Sequence, residues 1–514
     1  MNRRDFVRVS AVGGAAMSAA KLLGQTTPAA TTASVTSAAQ PAAVPPAGSA
    51  AGATVCIPTA VSAMASPEFE KSLDDMRQHG LVNAVLPFIY THNQDRSGIQ
   101  LNRLRGGNFG IPHMEYYKDA NLTDEDMRAT DYGDLDVLGR LIPAAKQRGM
   151  KVYPWILEEN VRPNIPHWEA LYEVDYTGRR ATAHPGGPCV NNPHYRNFTL
   201  GLVEDYTRSY DIGGLMWGSE RQGALFNALG MGGGGDPSRV TCFCEYCLPK
   251  AKAQGIDPEK TRQGFIELEK YVLTTRAGTR PTDGYFVTFF RLLLKHPELL
   301  AWENFWIQSR NQLQADIYHK IKSIKPELPV GWHLWQNATF SPFHRAEMDY
   351  ADLTAWSDFV RPALYNNCAG ERMRTATNSI HRTVFGDFPV EQANDVLYHI
   401  QNLQEAPYAS VAAAGFSPDY VMREVRRAVD NLAGTPVQVW PGIDIDVPVA
   451  AGSSHCTPAS VSAAVKAAFA GGARGIILSR NYVEMKPENL AAAGTALKEL
   501  GERWRGVQRG PWGK

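Results

Sequence analysis

Four cysteines and one glutamate between them are the residues of this chain whose types and spacing most directly suggest chemistry. Cys242, Cys244 and Cys247 read C-x-C-x2-C, and Cys189 stands upstream of them. Four thiolates complete one closed tetrahedral site, for which zinc is the default ion. Disulfides among the same cysteines are the other reading, since an exported chain meets an oxidising compartment. The odd total of seven cysteines and the tight spacing argue against a full disulfide framework. Cys56, Cys368 and Cys456 are left over and are expected to act as small buried apolar side chains.

Glu220 closes the apolar run Gly-Gly-Leu-Met-Trp-Gly-Ser. Desolvation beside such a run favours a protonated carboxyl, the state a general acid needs. A buried ion pair with Arg221 or another nearby arginine is its structural alternative. Cleavage of a glycosidic bond takes two carboxylates, one acid and one nucleophile or base. The second is sought in Gly442-Ile443-Asp444-Ile445-Asp446, where a period of two puts both aspartates on one face. Asp444 is the candidate nucleophile and Asp446 the fallback.

These residues need strands to position them. Short apolar runs alternate with amphipathic segments along the chain. Strands are expected at 53–60, 82–89, 150–157, 213–219, 329–335, 359–365, 437–445 and 475–479. Helices are expected at 67–80, 134–149, 195–210, 418–432 and 458–471, with polar helices between 257 and 325. Eight strands with helices between them predict an α/β fold, a closed (β/α)8 TIM barrel with insertions. A doubly wound open sheet is the alternative. The glycines at 230–235 precede Asp-Pro rather than a helix, so they read as a flexible lid or turn, not a phosphate loop.

Barrels of this kind build their sites at the C-terminal ends of the strands. Those ends carry Tyr90, His92 and Asn93; Trp155, Glu158 and Glu159; Trp217 and Glu220; Trp332, His333 and Trp335; Tyr365, Asn366 and Asn367; Trp440, Asp444 and Asp446; and Arg480, Asn481, Tyr482 and Glu484. From these, Trp155, Glu158, Trp217, His333, Trp335, Asn366, Trp440, Asp446 and Tyr482 are the substrate-binding candidates. With 11 Trp, 20 Tyr and 19 Phe, the chain has the flat apolar faces that sugar sites use beside polar groups. A carbohydrate is therefore the expected substrate. A non-catalytic carbohydrate-binding barrel is the competing expectation. A zinc hydrolase is disfavoured, because H-E-x-x-H and H-x-H are missing and four cysteines close a site.

Residues 1–25 read as an export signal: N-R-R-D-F-V is a twin-arginine motif, followed by an Ala/Gly-rich apolar run. Residues 26–53 are an uncharged Ala/Thr/Pro stretch, read as a disordered linker, and 54–510 as the barrel. The expected location is periplasmic or secreted, with the twin-arginine export machinery as a partner and no membrane anchor in the mature chain. The 52 basic residues balance 52 acidic ones with no basic stripe, so nucleic acid is not an expected partner.

The segment from Cys189 to Gly255 resembles the fourth βα unit of the family-42 glycoside hydrolases, the clan-A β-galactosidases. The matching residues are Cys189, Asn191, Pro193, Tyr195, Arg196, Trp217, Glu220, Cys242, Cys244 and Cys247. The resemblance implies a clan-A barrel, zinc held by the four cysteines and Glu220 as acid/base. It covers about 65 residues well and departs at two places. Ser219 stands where that family has Asn before its acid/base, and the seventh strand offers Asp where the family has a Glu nucleophile.

Overall fold

In a computed structural model, eight parallel strands close into a barrel. It describes residues 50–91, 107–108, 110, 112–123, 135–158, 170–180, 187–230 and 240–508. The export signal, most of the expected linker, His92, Asn93, Glu159 and residues 231–235 lie outside them.

The strands are β1 (Thr54–Thr59), β2 (Ala84–Thr91), β3 (Lys151–Val152 with Trp155–Leu157), β4 (Leu215–Ser219), β5 (Val330–Leu334), β6 (Phe359–Leu364), β7 (Gln438–Val439 with Gly442–Asp444) and β8 (Gly475–Ser479). Each pairs in parallel with the next, and β8 pairs with β1. Their near-continuous apolar sequence follows from burial on both faces. β3 and β7 each break at a proline, Pro154 and Pro441, which has no N–H to give to the ladder.

Outer helices follow most strands: α1 (Phe69–Gly80), α2 (Val137–Gln147), α3 (Pro193–Ser209), α4 (Glu298–Ile324), α5 (Pro418–Asn431), α6 (Pro458–Ala470) and α7 (Pro487–Gln508). Short helices, Asn337–Phe340, Pro342–Glu347 and the 3-10 turn Ala351–Trp356, link β5 to β6. The helix starts follow from capping. Asn192 accepts from the His194 N–H with Pro193 in the first turn, and Thr457 and Ser460 form a reciprocal capping box.

Strand alternation sorts side chains into two layers. The odd side chains of β1 face the helices with Trp217, Trp332 and the apolar faces of the helices. The inner layer holds Cys56, Leu86, Tyr153, Trp155, Met216, Phe359, Trp440 and Ile477. Glycines make room for the large ones. A Cβ added at Gly214, Gly331 or Gly475 would overlap Tyr153, Phe359 or Trp440. Phe359 and Trp440 stack with centroids 3.9 Å apart. The barrel is a packed interior, and its open chemistry is confined to the strand ends.

Candidate active site and metal centre

Counting in twos from Met216 and Gly218 sends Glu220, just past β4, toward the barrel axis. Gly218 lies against His333 of β5, with room for no Cβ: one there would sit 2.8 Å from the histidine Cβ. That close approach brings His333 Nε2 within 3.0 Å of Glu220 Oε1. The glutamate side chain is 31% exposed and the histidine 2%, so the carboxyl is open to a solute while its partner is sealed. Trp155 meets the histidine edge-on at 5.6 Å. Arg361, fully buried on β6, approaches His333 Nδ1 at 2.6 Å. Burial and the Arg361 charge push the His333 pKa down, against the pull of Glu220, which favours the neutral imidazole.

Arg221 does not pair with Glu220. It is buried between Glu158 and Glu173, reaching Glu158 Oε1 at 2.5 Å and bonding to Glu173 Oε1. Burial opposes its charge, and the two carboxylates restore it, holding the guanidinium above its usual pKa. Glu158 is thus a structural anchor for the loop after β4, which corrects its assignment as a substrate contact.

Asp444 faces inward, as its period predicts, but it is 1% exposed. Its Oδ2 accepts from the Cys368 N–H at 3.1 Å, and its Oδ1 accepts from the Val447 N–H at 3.1 Å and the Cys456 thiol at 3.2 Å. Burial raises its pKa, and these three donors oppose the rise. Cys456 is therefore more than apolar filler. Asp446 departs from the expected face, because β7 ends at Asp444 and Asp446 has φ 59°. Its carboxylate accepts from the Lys486 N–H and from Asn489 at the start of α7.

Three expected aromatic contacts are corrected by parity and partners. Trp217 is one residue out of phase with Glu220 and packs, 1% exposed, in the layer between barrel and helices. Trp440 lies in the inner core stacked on Phe359. The Tyr482 hydroxyl donates to Asp75 of α1 at 2.7 Å. Trp335 is half-buried and meets His344 edge-on at 5.5 Å. Asn366 is buried, and its carbonyl accepts from the Phe416 N–H. Glu220, His333 and Trp155 are the expected residues brought into one cluster. Arg361 joins them from mid-strand, where strand-end reasoning does not look.

Two further buried carboxylates hold the segment after Glu220. Glu303 of α4 accepts from the Leu225 N–H at 2.7 Å, and Glu347 accepts from the Gly223 N–H at 3.1 Å. Burial, and the neighbouring Glu347, hold the Glu303 carboxyl well above the carboxylate range.

The four cysteines converge as their spacing predicts. Their sulfurs all lie within 4.8 Å of one another, and all are buried. Cys189 Sγ is 3.4 Å from Cys247 Sγ and 3.6 Å from Cys244 Sγ. These separations are too long for disulfides, at about 2.05 Å, and all seven cysteines are free. They fit a tetrahedral ion with ~2.3 Å bonds, whose sulfurs stand about 3.8 Å apart. The Asn191 N–H and Val174 N–H point at Cys189 and Cys242 sulfurs, at 3.4 and 3.5 Å, and Asn191 Nδ2 reaches Cys247 at 3.3 Å. N–H donors around sulfur suit thiolates, so the cluster could hold a metal ion.

No family model and no curated protein matches the chain. Solved structures do. A β-galactosidase from Halorubrum lacusprofundi aligns with TM-score 0.50 at 15% identity, over 87% of this chain and 57% of that one. An α-L-fucosidase isoenzyme from Paenibacillus thiaminolyticus aligns with TM-score 0.47 at 16% identity, over 88% and 50%. Gan42B, a GH42 β-galactosidase from G. stearothermophilus, aligns with TM-score 0.45 at 11% identity, over 89% and 58%. The chain thus spans half to three-fifths of the length of these proteins. What it shares with the Halorubrum β-galactosidase is the fold, a (β/α)8 barrel.

Proposed function

We propose that the chain is an exported glycoside hydrolase that cleaves O-glycosidic bonds in oligo- or polysaccharides, with Glu220 as proton donor. The observation that carries this is a solvent-reachable carboxyl at the end of β4, aimed inward and held by a sealed neutral histidine. A neutral histidine leaves the single transferable proton to the glutamate. Asp444 is the proposed partner carboxylate, being the inward acid at the end of β7. Trp335, half-buried just past β5, is the residue left to line the sugar site, with Trp155 and His333 packed behind the acid. The four cysteines are proposed to hold zinc in a structural role, since four thiolates leave no position for substrate. Export by the twin-arginine route, and a periplasmic or secreted location, are proposed from the first 25 residues alone; among the described residues no helix is long and apolar enough to cross a membrane.

The seal around Asp444 favours a second reading, a barrel that binds carbohydrate without cleaving it. A nucleophile must offer a lone pair to the anomeric carbon, and three donors already engage this carboxylate. Purified mature protein should be screened on chromogenic glycosides and natural oligosaccharides, beside Glu220→Gln and Asp444→Asn. Turnover lost in both variants supports the two-carboxylate enzyme. Calorimetric sugar binding without turnover supports the binding barrel.

A further inference from the structure

We propose that Arg361 is a positioning residue for the acid: it dictates which nitrogen of His333 carries the hydrogen, and through it which oxygen of Glu220 transfers the proton. The inference rests on the glycosidase reading for its last step only.

A guanidinium has five donors and no acceptor. With Arg361 Nη1 at 2.6 Å, His333 Nδ1 can only accept. The imidazole hydrogen therefore sits on Nε2, which faces Glu220 Oε1 at 3.0 Å and donates to it. Oε1 is fixed as an acceptor, so the proton that moves to a leaving group resides on Oε2. When Glu220 delivers that proton, the His333 donor is already in place for the carboxylate that forms. No reorientation is needed at that moment.

Arg361 is an unusual choice for mere filling. Its Nη2 donates to the Tyr365 hydroxyl at 2.5 Å and to Ser479 Oγ at 2.6 Å, both neutral acceptors. Its Nε has no partner among the described residues. No carboxylate among them makes an ion pair with it, although it is 0% exposed. Phe359, two residues earlier on the same strand, shows what apolar filling looks like. Gly442 of β7 lacks the Cβ that would overlap the guanidinium, so two strands are adapted to admit a cation. Burying an unpaired charge is costly, and here the charge is aimed at the histidine behind the acid.

Charged and titratable groups stand past the ends of the strands that flank this chain of donors. They are the Glu158–Arg221 pair after β3 and β4, Glu220, Tyr365 and, across its ring, Arg372. Asp444 follows from β7, and the Arg480–Glu484 pair from the segment after β8.

The test is ¹⁵N NMR of histidine-labelled protein, with His333→Gln to assign the signal. The expected wild-type signal is an Nε2–H imidazole whose midpoint lies below the ordinary histidine value. It should persist in Glu220→Gln. In Arg361→Met, Nδ1 is released and His333 should titrate, now able to form an ion pair with Glu220. On a hydrolysed substrate the same variant should lose about 10- to 100-fold in kcat/KM, part of a general acid's ~10²–10⁴. The alkaline limb of its pH profile should move to higher pH, because the last proton now leaves a histidine–glutamate pair. Arg361→Lys, a donor-only cation, should keep the wild-type tautomer. A wild-type His333 carrying its hydrogen on Nδ1, or titrating with an ordinary midpoint near ~6.5, would overturn the proposal, whether or not Arg361→Met folds. These spectra need no substrate. If no glycoside is cleaved, the glycosidase reading falls by the substrate screen, separately from the histidine's state.

Discussion

Replacing Arg221 with methionine should destabilise the protein by an amount that grows with pH. The guanidinium is 4% exposed and lies between Glu158 and Glu173, 3% and 4% exposed. It also donates to the Pro188 carbonyl at 2.9 Å. Methionine keeps much of the volume and removes the charge, so two buried carboxylates lose their cation. Removing one partner of a buried pair costs about 3–5 kcal/mol. Glu173 supplies the pH dependence. Burial already raises its pKa, while Arg221 and the Thr241 hydroxyl pull it down. Without Arg221 that opposition weakens and the folded chain keeps a proton the unfolded chain releases above its reference pKa of about 4.3. The folded state then binds more protons, so stability falls as pH rises, by up to about 1.4 kcal/mol per pH unit for this one carboxyl. Urea titrations followed by circular dichroism at pH 5, 6, 7 and 8 would show the gap between variant and parent widening. Adding Glu173→Gln should flatten it. A gap that is the same at every pH would refute the electrostatic argument and leave Arg221 as packing.

Glu303→Gln should likewise flatten the parent's own decline in stability as pH rises above about 4.3, by up to about 1.4 kcal/mol per unit, since burial and Glu347 hold the Glu303 carboxyl protonated in the fold; unchanged pH dependence of the urea midpoint would count against it. Glu220→Gln should cut hydrolysis of natural linkages by about 10²–10⁴ while sparing aryl glycosides with acidic phenols far more, as paired kcat/KM values on the two substrate types would show. Elemental analysis of protein purified without chelator should find about one zinc per chain, and Cys244→Ser should lower both zinc content and the urea midpoint. Gly331→Ala, which drives a Cβ into the Phe359 ring, should cost about 1–3 kcal/mol, with part of the loss relieved by Phe359→Leu in a thermal melt.

Strand and helix positions were largely legible because barrel strands are short, apolar and bounded by polar ends. Gly475–Ser479 reads the same in sequence and structure. The cysteine centre was legible because three of its members are adjacent in sequence. Tryptophans were harder: an aromatic near a strand end looks like a sugar platform whichever way it points. Trp217 and Glu220 differ by an odd number, and that parity alone would have sent Trp217 to the helices. Asp446 failed because a period of two holds only while the strand lasts. Arg361 was hidden inside Phe-Val-Arg-Pro-Ala-Leu, although a lone charge in an apolar strand is itself a signal. Glu303 and Glu347 lie on helices far along the chain, and nothing local links them to the loop they hold.

The glycines of the barrel interior have an evolutionary consequence. Gly214 is matched to Tyr153, Gly218 to His333, Gly331 to Phe359, Gly442 to Arg361 and Gly475 to Trp440, each pair spanning two adjacent strands. A change of size at one member must be answered across one particular seam. In an alignment of relatives these five pairs should drift together as coupled columns. A lineage that gave up Arg361 would be expected to release Gly442 with it.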